Sequence, residues 1–213
     1  MSKPRRKASP EQIAAAVRRH RRWRIVLGLL VLLVAASSYC SHVKSPSNPR
    51  SLEGQHVIVH EVIDGDTIEI RTPAGELERV RLKGIDAPEL ARGGKPAGYF
   101  ASESKRYLRD RIDARQVVLQ FDGTDLRDRY GRLLAFVYLT ENDNINMAMV
   151  QNGYAYVDRR FHSHLQSKLG QAEGEARRKE RGLWKEVTPD QMPVWRQEWL
   201  KQRNALRGVE SSD

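Results

Sequence analysis

From residue 55 onward the chain alternates apolar and polar positions in short runs. "HVIVHEVI" (56–63) and "TIEIRT" (67–72) carry strand-forming residues at every second position. "PAG" (73–75) is turn punctuation, and "ELERVRLKGI" (76–85) resumes the alternation. The pattern predicts a three-strand meander with short connections. "AGYFASESKRYLRDRI" (97–112) then switches to helical spacing, with Phe100, Tyr107, Leu108 and Ile112 sharing a face. "QVVLQFD" (116–122) and "RLLAFVYL" (132–139) predict two further strands. Residues 145–152 predict a short helix with Gly153 at its C-cap. Residues 164–184 predict a longer helix, with Leu165, Leu169, Ala172 and Ala176 on one side and Gly182 ending it. There is no internal repeat.

Five strands, a helix inserted after the third, and helices at the end predict an α+β chain. A small closed barrel satisfies the strand edges, and packed helices cover the apolar faces. The expected architecture is a five-stranded OB-fold β-barrel with about three helices. Residues 188–213 carry Trp195, Trp199, Leu200 and Leu206 at loosely helical spacing. This helical tail is expected to dock on the domain; lying on a membrane or mediating association are the other fates of such a helix.

The first 54 residues follow another pattern. Residues 1–24 are a basic leader with nine Lys or Arg against Glu11 alone, a net of +8. Residues 25–36 are an unbroken apolar run. Extended through 42, with Arg24 and Trp23 at the interface, the run approaches the roughly 17–20 residues of a transmembrane helix. A cleaved signal peptide is the alternative, with "AASS" as the cleavage region. Either reading keeps the basic leader in the cytoplasm and puts the downstream domain on the extracytoplasmic side, tethered to the membrane through 25–42 or secreted. "SHVKSPSNPRS" (41–51) reads as linker. The expected organisation is a leader at 1–24, an anchor or signal segment at 25–42, a linker at 43–54, a folded domain at 55–187 and the tail at 188–213.

Charge adds less than its total suggests. The chain of 213 residues has a formal net charge of +10, and the leader accounts for all but +2 of it. Overall basicity is therefore a property of the N-terminus and does not by itself indicate a nucleic-acid surface. Cys40 is the only cysteine, which excludes an internal disulfide. Tyr39 stands where a small residue would precede a lipid-modified cysteine.

Three stretches break the pattern of a plain barrel. "DGDT" carries Asp64 and Asp66 inside a strand-like run, "RLKGIDAPE" carries Arg81, Asp86 and Glu89, and "DRYGR" carries Arg129, Tyr130 and Arg132. Each alone is ordinary turn or helix-start chemistry. Together they bring three carboxylates and two guanidinium groups to strand ends. Two carboxylates and a carbonyl suit a hard cation such as Ca²⁺ and leave positions for water. A third carboxylate can orient or deprotonate a water. Paired arginines can hold a phosphate and stabilise growing charge on it. No His, Cys or Ser nucleophile pattern competes, and His162 and His164 are expected to be solvated.

"VIDGDTIEI", "VRLKGIDAPE" and "DRYGRLLAFVYL", continued by "MAMVQNGYA" and "EARRKERGLW", resemble the staphylococcal nuclease (thermonuclease) family over about residues 55–186. The resemblance implies an OB-fold, Ca²⁺-dependent phosphodiesterase acting on DNA and RNA, and unpaired strands are the expected substrate because the site must reach the phosphodiester backbone. The resemblance also implies cleavage at the P–O5′ bond that leaves 3′-phosphate ends. It assigns Asp66, Asp86 and the Ala87 carbonyl to the metal, and Glu89 to the general base or to ordering of water. Arg81 and Arg132 are assigned to the reacting phosphate, and Arg129 and Tyr130 to substrate binding. Asp64 is expected to form the turn or to support the metal site. Arg159 and Phe161 stand where the family has two nucleotide-contacting tyrosines. No obligate protein partner is evident. The rival expectation is a catalytically inactive module on the same fold that binds nucleic acid or protein.

Overall fold

A computed structural model describes residues 48–210. The leader, the apolar segment at 25–42 and the start of the linker lie outside them. Among the described residues no helix is long and apolar enough to cross a membrane.

Strands β1 (His56–Val62), β2 (Thr67–Arg71) and β3 (Leu77–Leu82) form the expected antiparallel meander. β1 buries Val57 and Val59, then slips register before Glu61, so that Val62 returns to the core. An extra residue of this kind resets which side chains face inward. β5 (Gln116–Phe121) pairs antiparallel with β1 and with β6 (Leu133–Thr140). β6 also runs parallel to β3, which closes the five strands into a barrel in the order β3-β2-β1-β5-β6. Its interior is filled by branched side chains such as Ile68, Ile70, Val80, Leu82, Leu119 and Leu133, none of them exposed.

The run at 76–85 is not one strand. β3 ends at Leu82, and after Lys83–Gly84 the two-residue β4 (Ile85–Asp86) leaves the barrel. It pairs with β8 (Tyr156–Val157), Asp86 opposite Tyr156. The break occurs because the backbone partners change. The Lys83 N–H donates to the Ala135 carbonyl, and the Lys83 carbonyl accepts from the side chain of Asn146 (2.8 Å). Asn146 is wholly buried, and its amide oxygen accepts from the Val137 N–H, so it pins the start of a helix to the barrel. Between the barrel strand β6 and this helix lies the two-residue strand β7 (Asp143–Asn144).

Four α-helices are present among the described residues, the three expected with the barrel and the expected tail. α1 (Ala101–Ile112) buries Ala101, Ser104, Leu108 and Ile112. α2 (Ile145–Gln151) is capped by Asn144, whose side chain accepts from the Met147 N–H at 2.7 Å. α3 (Gln166–Arg178) is shorter than the run at 164–184 suggested, because Glu180 and Gly182 take positive φ. Gly182 and Gly153 cross backbone to backbone: a Cβ on either would strike the other's segment, and the Leu183 N–H donates to the Gly153 carbonyl.

The fourth helix, α4 (Val194–Glu210), is the tail. It docks on a small second core of Tyr156, Leu183 and Met192, against which Trp184, Trp195 and Leu200 also pack. Arg196 is completely buried there. Its guanidinium lies 4.9 Å from the Tyr156 ring and 5.1 Å from the Trp184 ring, and it pairs with Glu173 at 2.9 Å. Aromatic faces take the place of the water that a buried arginine has lost.

Candidate active site

The site begins at the β1–β2 turn. The Asp64 carboxylate accepts from the Asp66 N–H at 3.0 Å, a side-chain turn that aims residue 66 inward. A Cβ on Gly65 would lie 2.6 Å from the Ala87 Cβ and 2.8 Å from the Ser104 Cβ. Only glycine lets the turn approach the Asp86–Ala87 segment and α1 this closely. Asp66 is thereby buried beside Ala87, whose N–H donates to Asp66 Oδ2 at 2.7 Å.

Arg81, on β3, bridges two carboxylates. One terminal nitrogen contacts Asp66 Oδ2, and the other donates to Asp86 Oδ1 at 2.6 Å. Burial raises the Asp66 carboxyl to about 6; Arg81 opposes the rise, and Asp64 adds to it. Asp86 is also raised, by burial first, with Arg81 opposing. Burial works against the charged form of Arg81, but Asp66 and Asp86 outweigh it and hold the guanidinium charged. Arg81 thus ties the two buried carboxylates together, and burial still keeps both carboxyls raised.

Arg132 joins the cluster through Thr67. Its Nη1 donates to Thr67 Oγ1 at 3.1 Å, and Thr67 Oγ1 donates to Asp66 Oδ1 at 3.0 Å. Asp128 steers Arg132, accepting from its Nε at 2.8 Å and from its backbone N–H at 3.0 Å. Glu89 sits exposed at the rim; its carboxyl is raised by partial desolvation and then by Asp66 and Asp86, while Arg81 and Arg132 lower it. The same four residues therefore lie within electrostatic reach of Glu89. Arg129 and Tyr130 are exposed beyond Arg132 and pair with each other (2.8 Å), while the Tyr130 ring lies 5.5 Å from the Arg132 guanidinium.

Among the described residues no group of three or more His, Cys, Asp or Glu side chains forms a metal cluster. The candidate donors are the two carboxylates Asp66 and Asp86, with Ala87 held against them. An oxygen-only, doubly anionic and desolvated set fits a hard divalent cation that keeps several waters. His164 is exposed but paired: Asp122 accepts from its backbone N–H at 3.1 Å, and its ring meets Phe136 edge-on.

The family described as staphylococcal nuclease homologue matches residues 79–186. The chain belongs to the staphylococcal nuclease family. Over 175 residues it is 33% identical to an uncharacterised endonuclease of Haemophilus influenzae, covering 82% of this chain and 86% of the relative. It is 28% identical to a thermonuclease of Staphylococcus intermedius, covering 76% of this chain and 98% of that protein. It is 35% identical to a micrococcal nuclease of Shigella flexneri, covering 63% of this chain and 76% of the relative.

On this family's barrel the structure adds three residues that sequence reasoning did not single out. Arg160 donates to Asp86 Oδ1 at 3.0 Å and is held by Asp158. Trp195 donates its indole N–H to Asp86 Oδ2 at 2.9 Å. Thr67 links Arg132 to Asp66. The Asp–Arg spacing in "VDRRF" was the one local signal for Arg160, and nothing local marks Trp195. Of the two residues at the family's tyrosine positions, Phe161 is exposed, and Arg159 turns away to lie on Trp199 and pair with Glu173.

Proposed function

We propose that this staphylococcal-nuclease-family chain is a Ca²⁺-dependent endonuclease that cleaves DNA and RNA at the P–O5′ bond and leaves 3′-phosphate ends. That it is a nuclease, a hydrolase of phosphodiester bonds, follows from the family. The observation that carries the finer reading is the buried Asp66–Arg81–Asp86 bridge, joined through Thr67 to Arg132.

In this reading Asp66, Asp86 and the Ala87 carbonyl hold the cation. When bound, it supplies positive charge to a phosphate oxygen and acidifies water. Glu89, at the rim and with a raised carboxyl, orients a water or takes its proton. Arg132 is aimed by Asp128 and Thr67 before substrate arrives, so little reorganisation opposes its contact with phosphate. Arg81, held between Asp66 and Asp86, is the second guanidinium assigned to the same phosphate. Arg129 and Tyr130 offer an exposed cation and a ring to a neighbouring nucleotide. No side chain in the set selects a sugar, which suits both DNA and RNA, and an unpaired strand exposes its backbone to the rim most readily. The leader and apolar segment support a domain that works on the extracytoplasmic side, membrane-tethered or released.

Hydrolysis of single-stranded DNA and RNA with Ca²⁺ and with chelator, followed by end-group analysis, tests this. Cleavage that survives chelation, or products with 5′-phosphate ends, overturns the metal or the bond assignment. Arg132→Ala and Glu89→Ser are each expected to lower kcat by about 10²–10⁴-fold with folding intact. Binding of nucleic acid without cleavage by the wild-type chain would mark a binding module instead.

A further inference from the structure

We propose that the C-terminal helix completes the catalytic site, with Trp195 as a positioning residue for Asp86. This rests on the reading of Asp86 as a metal ligand. Asp86 lies on a two-residue strand outside the barrel, so its backbone alone orients the carboxylate weakly. Three donors hold it, one from the preceding strand and two from distant parts of the chain. Arg81 and Arg160 donate to Oδ1 at 2.6 and 3.0 Å, and the Trp195 indole N–H donates to Oδ2 at 2.9 Å. The Trp195 ring also lies 4.8 Å from the Arg160 guanidinium, so one side chain steadies both the carboxylate and a second of its donors.

Trp195 is well placed to do this because its neighbour is the anchor of the tail. Arg196 is sealed among aromatic rings and paired with Glu173, and Glu173 also accepts from the Val157 N–H at 2.8 Å. Val157 belongs to β8, the strand that pairs with Asp86's own strand. The start of α4 and the backbone of Asp86 are therefore registered against the same element. The family match ends at residue 186, so this support comes from outside the stretch that defines the family. Donors behind a ligating carboxylate fix its direction, and losing one costs about 10–100-fold in metal affinity or activity.

The test uses the full-length chain with Trp195→Phe, which keeps a ring for Arg160 and removes the N–H. Calorimetric titration with Ca²⁺ in the absence of substrate is expected to show about 10–100-fold weaker binding than wild type. At saturating Ca²⁺ the KM for single-stranded DNA should be unchanged, and kcat should be lower. Equal Ca²⁺ affinity with equal kcat overturns the proposal, and tighter Ca²⁺ binding would show that the indole blocks the site. A second measurement does not depend on the variant folding. In ¹⁵N-labelled wild type the Trp195 indole resonance should shift on Ca²⁺ addition; a resonance that ignores it overturns the proposal. If wild type binds no Ca²⁺, the metal reading fails, and the tail is judged by the same kcat comparison with whichever divalent ion supports cleavage.

Discussion

Asp128 holds Arg132 in place before any substrate is present. It accepts from the Arg132 side chain and from the backbone N–H groups of Tyr130 and Arg132. Burial raises its carboxyl, but these bonds outweigh burial, and the net effect is a lowered value. A lowered folded-state value means that the ionised form stabilises the fold. That contribution is fully present above the ordinary value of 3.8 and is lost as pH falls through the lower folded one. Asp128→Asn should therefore destabilise by about 1–2 kcal/mol at neutral pH. In urea melts run from pH 7 to pH 3, the gap to wild type should narrow at the acid end. It should also lower kcat more than KM, since Arg132 keeps its charge and loses its aim. A gap that is constant with pH would remove Asp128 from this role.

At the scale of elements, the β1–β2 turn is the part with least tolerance. Gly65 is pressed between Ala87 and Ser104, and both neighbours belong to segments the site needs. Gly65→Ala must push the turn away from Ala87, which stretches the Ala87 N–H bond to Asp66. The expected cost is about 1–3 kcal/mol, typical of overpacking, with cleavage reduced more than stability alone explains. Thermal melting and single-stranded DNA hydrolysis on the same preparation check both. Strands β1, β3 and β5 were legible in the sequence because each mainly buries one face and period-two alternation records that, whereas β6 buries Ala135, Phe136 and Val137 in succession and shows as an apolar run. The break between β3 and β4 was not legible, since Val80, Leu82 and Ile85 are apolar on either side of it and the change lies in backbone partners. The same limit hid two of Asp86's donors. Arg160 is 74 residues from it and Trp195 is 109, so no local spacing relates them. Arg81, five residues away, was visible within one motif.

For the molecule as a whole, the balance of charge matters less than where single charges are buried. Outside the leader the chain carries only +2, yet its described part places Arg196 at zero exposure in an aromatic cage with Glu173. The pair links α4 to α3, and through the Val157 N–H to β8, so it joins the tail to the ladder that carries Asp86. Removing Arg196 leaves the buried Glu173 only the more distant Arg159 at 3.5 Å and the Val157 N–H. Arg196→Ala should therefore destabilise by about 3–5 kcal/mol, well beyond a surface change. Glu173→Gln keeps an oxygen for the Val157 N–H and for Arg196 Nη1 and removes the charge, which leaves the buried guanidinium without this counter-ion. Because the two residues act on one interaction, the double variant should be less destabilised than the sum of the singles. Urea denaturation of the four full-length chains measures this directly. Additive losses would mean that the pair is not what fastens the tail, and the aromatic packing of Trp184, Trp195 and Leu200 would then have to hold it alone.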